Sequence, residues 1–479
     1  MSLPAWLLKR RPSRRALDVV VVGAGVAGLA CGAALARAGL QTAVIERARR
    51  PGGRLQSFGI QGWSVDTGPL LWSGPELREA LTFAGVESPP LVTVDLRRQL
   101  GLALLTEKGA EGPWPLPVPG GVPSPAVLAA IKRLHDIPRR AFADLGTLCD
   151  VLRTEPAPAG TTLARWLEGR AVDGAVLRGL VRTAEILGAP LGRGLEIDAR
   201  ELALRLANLH GDEGRDFVVA GDGPIPGARG LIQSLVDALL AAGGELRLGM
   251  QARAVLVEDG AASGVLVGRS DEPFVETIEA GACVLAVGPR HLQELLPART
   301  LLELPSPRTR ITWACAAWGL ERGDKAAGEA ALPGAGKTPP PLLRALPFGD
   351  SAIDGLVVDA GSFAPRIAPP GHGLLLGRLR IGEGRPAELQ QSGPGAAGLA
   401  ALLDVACPGA SERLSWDRFW FESAAEVPLA GDPDEMPLAV PGLPRVLLAS
   451  AHVAAAGSEP VARAASAGAA AARRLLGSG

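Results

Sequence analysis

Residues 18–46 hold the feature that most restricts the fold of this chain. Asp18-Val-Val-Val-Val22 is an unbroken β-branched run without the alternation of a half-exposed strand. Such a run suits a strand buried on both faces of a parallel sheet. It leads directly into Gly23-Ala-Gly25-Val-Ala-Gly28. The first glycine permits a tight turn, the second lets backbone approach a pyrophosphate, and the third allows close helix–strand packing. The spacing predicts a helix from Val26 to Ala38, which aims the amides around Val26 and Ala27 and its positive dipole end at phosphates. Gly39 serves as its C-cap. A second strand, Gln41-Thr-Ala-Val-Ile45, runs into Glu46, which is placed to accept hydrogen bonds from an adenosine ribose. A lone Gly-x-Gly-x-x-Gly says little. Strand, turn, helix, strand and terminal acid in register predict a dinucleotide-binding βαβ unit. Arg47, with Arg49 and Arg50, keeps a 2′-phosphate ligand (hence NADP) open as an alternative.

Composition narrows the function classes. The 479 residues carry 49 Lys and Arg against 50 Asp and Glu, a net charge of −1, which argues against a polyanion-binding protein. No nucleic-acid partner is expected. At 47% hydrophobic and 21% charged, the chain is a folded protein. Five dispersed cysteines without a Cys-x-x-Cys pair read as reduced thiols in a cytoplasmic protein, and five scattered histidines support no metal site. Residues 1–15 form a basic arm containing Lys9, Arg10, Arg11, Arg14 and Arg15. With the apolar stretch Val19–Leu40 this could be taken for a twin-arginine signal or a membrane span. The glycine spacing and the hydrophilic exit at Glu46-Arg47 favour the βαβ turn instead. Peripheral contact of the arm with an anionic membrane surface is retained as a secondary expectation.

Downstream of Glu46 come Pro51-Gly52-Gly53-Arg54 and then Trp63-Ser-Val-Asp66-Thr67-Gly68-Pro69. This succession resembles the flavoprotein superfamily of monoamine oxidases, protoporphyrinogen oxidases and phytoene desaturases. In that family a Gly-Gly-Arg turn and an aromatic-x-x-Asp-x-Gly-Pro segment follow the fingerprint. The resemblance implies FAD as cofactor, with Gly52, Gly53 and Arg54 at the diphosphate and ribityl region. It places Thr67, Gly68 and Pro69 near the isoalloxazine ring. Physical chemistry agrees, since paired glycines bring amides close to phosphate and a guanidinium offers a planar fork.

The resemblance continues in pieces. The loop Gly221–Gly230 precedes a helix, Leu231–Ala242, and a strand, Glu245–Leu248. A hairpin is expected around Asp259-Gly260, and Cys283–Val287 is another buried strand. Ser362–Leu376 resembles the family's Ala-Pro-x-Gly strand entry. Near the C-terminus the match departs. The strand Arg445–Ala449 and the helix Val461–Leu476 are present, but the family's Gly-Asp pair between them is replaced by Ser450-Ala451. Losing that carboxylate removes a charge-assisted hydrogen bond worth about 1.5–3 kcal/mol, and Ser450 is the neutral substitute.

The expected fold is α/β: a Rossmann-like FAD-binding domain of the glutathione-reductase type, with a mixed sheet and an interleaved α+β substrate domain. The FAD domain is assigned to 16–90, 215–290 and 410–479, and the substrate domain to 91–214 and 291–409. Residues 125–140 are expected to be helical and 322–341 to form a loop. For the chemistry, the flavin does most of the work and the protein orients and desolvates. His452, by its position near the flavin edge, and Trp420, in the aromatic strand Trp416–Phe421, are the catalytic candidates. The Asp66-Thr-Gly-Pro69 wording is closest to phytoene desaturases, so the expected activity is desaturation or oxidation of an apolar substrate such as a carotenoid. A protoporphyrinogen or amine oxidase is the alternative; the absence of Tyr disfavours the aromatic cage of monoamine oxidases. A non-catalytic binding protein resembling the GDP-dissociation inhibitors is the alternative of another class.

Overall fold

The computed structural model describes residues 17–94, 99–106, 109–115, 140–155, 161–186, 194–200, 217–269, 275–301, 310–322, 342–347, 354–380, 394–425, 435–453 and 460–477, with a few positions between these. The basic arm, the 125–137 part of the expected helix and the 323–341 loop lie outside the described residues.

The valine run forms β1 (Leu17–Val22), and the helix that follows is α1 (Val26–Arg37). β1 pairs in parallel with β2 (Thr42–Glu46), which pairs in parallel with β10 (Glu245–Leu248). On its other side β1 pairs in parallel with β13 (Val275–Leu285). β13 is 11 residues long and serves two sets of partners. Its first half is antiparallel to β12 (Ala261–Gly268), itself hairpin-paired to β11 (Gln251–Glu258). Its second half is parallel to β19 (Val446–Leu448). The sheet is therefore mixed, as expected. Asp259 and Gly260 turn the hairpin with φ of 50° and 79°, the positive pair that a tight turn between twisted strands requires.

Alternate residues of β1 explain its composition. Val19 and Val21 face α1, the helix Ala228–Ala241 and the closing helix Pro460–Leu475, whereas Val20 and Val22 join the core around β11–β13. Four of the five cysteines are buried, and all five are free. Burial pushes the thiols of Cys31, Cys149, Cys283 and Cys315 up to about 12.

A second seven-stranded sheet runs in the order β18 (Leu414–Ala425), β14 (Arg310–Glu321), β17 (His372–Arg380), β16 (Asp354–Asp359), β15 (Leu342–Pro347), β7 (Leu100–Thr106), β8 (Gly109–Pro115). One face is covered by the helix Pro394–Ala406, through Ala314, Ala316 and Trp318 against Leu399 and Leu402. The other faces the first body. Between them lie a hairpin, β3 (Ser57–Ile60) with β4 (Trp63–Asp66), and a small sheet of β5 (Trp72–Ser73), β9 (Phe217–Ala220) and β6 (Leu91–Val94). The helices Ala141–Thr154, Leu163–Leu167 and Gly174–Ile186 gather round Leu152, Leu163 and Leu180.

Two boundaries drawn from sequence shift. β18 lies inside the span 410–479 assigned to the first domain, yet it pairs along its length with β14 of the second sheet. β6 starts just beyond residue 90 and pairs with β9, inside the 215–290 span. Alternation of side chains identifies a strand but not its neighbour.

Candidate functional site

The site begins where β1 ends. Gly23 N–H donates to the Ile45 carbonyl at 2.8 Å, which closes the turn against β2. A side chain on Gly28 would meet the Gly23 carbonyl at 1.9 Å, and this is why the third glycine is needed. Gly25 differs: a Cβ there would meet nothing nearer than the Gly53 Cα at 4.0 Å. No side chain caps α1, so the amides of Val26 and Ala27 start the helix beside the closely packed Gly25 and Gly53 backbones, where a Cβ on Gly53 would lie 3.2 Å from the Gly25 Cα. The second wall is the 52–54 turn. Gly52 N–H donates to the Ala24 carbonyl at 2.8 Å, and Gly52 bridges in parallel to Gly25. Such a pair of glycine-lined backbones fits a diphosphate, with helix dipole and amides both favouring the anion.

Glu46 ends β2 as expected. Its carboxylate accepts from Ala24 N–H at 2.9 Å and Ala48 N–H at 2.8 Å, one bond to each oxygen. Each oxygen retains a lone pair for a ribose hydroxyl. Arg47 turns to His291, with Nη1 and Nε2 2.8 Å apart. Burial and the adjacent Arg47 charge lower the His291 pKa.

Arg54 is solvent-accessible, yet its pKa is lowered first by desolvation and then by the charge of Arg378, with Glu422 opposing. Among the described residues Arg54 makes no hydrogen bond or ion pair. Thr67 is held by Gln56, its N–H and hydroxyl both donating to that carbonyl at 2.8 and 3.2 Å. Gly68 N–H donates to Glu422 Oε1 at 3.2 Å, and the Pro69 carbonyl accepts from Trp72 Nε1 at 2.8 Å.

Trp420 is brought to this place. Its Nε1 donates to Glu422 Oε1 at 3.0 Å, and its ring meets Phe58 edge-on at 5.8 Å. Ser450 lies in the turn after β19, its hydroxyl accepting from His452 N–H at 3.3 Å. His452 is 5% exposed and its carbonyl accepts from Met436 N–H, so it is a buried turn residue. Sequence reasoning missed Glu422 and Arg378, which form an ion pair across β14 from the two strands that flank it. Glu422 lies two residues past Trp420, so strand alternation could have flagged it; its pairing with Arg378 depends on register.

Next to this junction lies a narrow cleft of about 20 Å³ between the two bodies, lined by Asp66, Leu70, Val219, Val358, Phe363 and Leu376. Its walls are apolar except for Asp66.

The fold and this geometry can be set beside known proteins. An oxidoreductase from Methanosarcina mazei superposes with a TM-score of 0.62 at 18% identity, covering 94% of this chain and 98% of that one. Putrescine oxidase bound to putrescine gives 0.59 at 18% identity, covering 97% and 99%. The chain shares the fold of these two proteins. Cyclohexylamine oxidase from Brevibacterium oxydans also superposes, with a TM-score of 0.55 at 16% identity over 97% of this chain and 99% of that one. The family model of the NAD(P)-binding Rossmann-like domain matches residues 21–83. Sequence similarity to curated proteins is local. A ζ-carotene-forming phytoene desaturase of Myxococcus xanthus is 44% identical over 68 residues, 14% of this chain and 13% of that protein. A phytoene dehydrogenase of Streptomyces griseus is 48% identical over 61 residues, 13% and 12%. An all-trans-retinol 13,14-reductase of Macaca fascicularis is 48% identical over 64 residues, 13% and 10%. The chain thus matches only about an eighth of the length of these relatives. No helix among the described residues is long and apolar enough to cross a membrane.

Proposed function

We propose that the chain is an FAD-dependent oxidoreductase, a desaturase or oxidase that removes a hydride from an apolar substrate such as a carotenoid or other polyisoprenoid. The observation that carries this reading is the pair of closely packed glycine turns, at Gly25 and at Gly52-Gly53, beside the start of a helix that no side chain caps. Bound there, a flavin supplies the hydride and electron acceptor. The chain's own residues bind and orient. Gly25, Gly53 and the first amides of α1 hold the diphosphate, Arg54 offers its unspent guanidinium, and Glu46 takes ribose hydroxyls. A 2′-phosphate is disfavoured, because Glu46 would repel it and Arg47 is engaged with His291. FAD is therefore preferred to NADP. The apolar lining of the cleft beside Pro69 suits a hydrocarbon group. Local likeness to two carotenoid enzymes and a retinol reductase supports a polyisoprenoid. Likeness along the whole fold to putrescine and cyclohexylamine oxidases keeps an amine as the second reading.

The test is an absorbance spectrum of protein reconstituted with FAD and freed of excess. Bound flavin gives bands at about 370 and 450 nm. Their absence would sink the enzyme reading and favour a non-catalytic binding protein. With flavin bound, anaerobic bleaching by phytoene and not by putrescine or a porphyrinogen is expected; the reverse result would replace the substrate class.

A further inference from the structure

We propose that Glu422 is a positioning residue that fastens the Gly68 peptide to the second sheet and offsets the paired charges of Arg54 and Arg378. Its carboxylate gathers donors from three parts of the chain. Oε1 accepts from Gly68 N–H, on the segment after β4, at 3.2 Å, and from Trp420 Nε1 at 3.0 Å. Oε2 accepts from Arg378 on β17. Register explains the grouping. Cys315 of β14 stands opposite both Arg378 and Trp420, and Trp313 stands opposite Glu422. Directly opposed residues share a face, so all five lie on the face turned toward the first body. Arg378 is held over the Trp313 ring at 5.0 Å.

The effect is passed to Arg54 through backbone. Gly68 has φ of +82°, and a Cβ there would lie 2.3 Å from the Arg54 carbonyl. The Gly68 peptide and the Arg54 backbone are thus packed without clearance, and a bond that holds one holds the other. Electrostatics points the same way. Desolvation and then the Arg378 charge lower the affinity of Arg54 for a proton, and Glu422 is the charge that opposes this. Without it, the Arg378 charge acts on Arg54 with no carboxylate opposing it.

The part of this inference that concerns the flavin rests on the function proposed above; the backbone part does not. Two variants separate them. In cofactor-free protein, hydrogen–deuterium exchange at the Gly68 amide should be about tenfold faster in Glu422→Ala. It should stay near the wild-type rate in Glu422→Gln, whose amide oxygen still accepts. In FAD-loaded protein, Glu422→Gln should raise the flavin midpoint potential, because unneutralised guanidinium charge favours the more negative reduced flavin. A purely structural role would leave that potential unmoved. Unchanged Gly68 exchange in Glu422→Ala, or an unchanged potential in Glu422→Gln, overturns the proposal. Should wild-type protein bind no FAD, the proposed function falls while the exchange experiment still decides the backbone role.

Discussion

Asp66 shows how one residue of a motif serves the fold before it serves a site. Its carboxylate accepts from Ser57 Oγ at 2.6 Å and from Ala228 N–H at 2.8 Å, so it caps the helix Ala228–Ala241 from a strand of the hairpin. Burial is the largest influence on it and raises its pKa from 3.8 to about 6, against the opposing pull of those two bonds. The sign follows. Below 3.8 the folded and unfolded states are both protonated and the contribution is fully present; as pH rises through about 6 it is lost. The window corresponds to about 3 kcal/mol. Asp66→Asn keeps an acceptor and does not titrate, so wild type should lose stability relative to the variant between pH 4 and 6 in urea titrations. A constant difference across that window would show that the carboxyl is not desolvated. Gly25 allows a second prediction at this scale. Its φ of −76° suits alanine, and the built Cβ would make only an ordinary contact, with the Gly53 Cα at 4.0 Å. Gly25→Ala should therefore leave the melting temperature of cofactor-free protein unchanged while weakening FAD binding by about tenfold or more, measured by flavin fluorescence quenching. A variant that binds FAD normally would place the diphosphate elsewhere.

At the scale of elements, the first βαβ unit was legible because local rules decide it. β-Branched composition, glycine spacing and a terminal acid each report on residues within a few turns of one another, and α1 and β2 begin within one residue of expectation. The same holds for β10 and the Asp259-Gly260 hairpin. What stayed hidden needs long-range register. Nothing local in Leu414–Ala425 distinguishes a strand of the first sheet from an edge of the second, and nothing at Arg378 announces Glu422. Gly468 is an intermediate case. It stands within the closing helix that the sequence predicts, but its purpose appears only in three dimensions. A Cβ on Gly468 would lie 2.2 Å from the Ala27 carbonyl, where the closing helix crosses α1. Gly468→Ala should push the two helices apart, cost about 1–3 kcal/mol in chemical denaturation, and disturb the amides at the start of α1. If stability and FAD affinity both stay at wild-type values, the crossing is looser than this geometry requires.

At the scale of the whole molecule, the two sheets are built from interleaved stretches of chain. The first takes strands from residues 17–46, 245–285 and 446–448, and the second from 100–115, 310–380 and 414–425. The first sheet includes β19, and the closing helix joins α1 and the helix Ala228–Ala241 in covering one of its faces, so neither body is a contiguous piece of chain. Contacts of such long range make early, independent folding of one body costly. The Glu422 carboxylate and the apolar lining around Val219 and Val358 join the bodies further. A ligand held by the first body should then stabilise both. FAD at a hundredfold excess over its dissociation constant adds about 2.7 kcal/mol to whatever unit unfolds with the site. Differential scanning calorimetry should show one transition that moves upward as a whole with FAD concentration. Tryptophan fluorescence at 295 nm excitation, which includes Trp313, Trp318 and Trp420 of the second sheet, should follow the same midpoint. Two transitions, with only the lower or the upper responding to FAD, would mean that the second sheet unfolds on its own and that the contacts through Glu422 do not couple it to the cofactor.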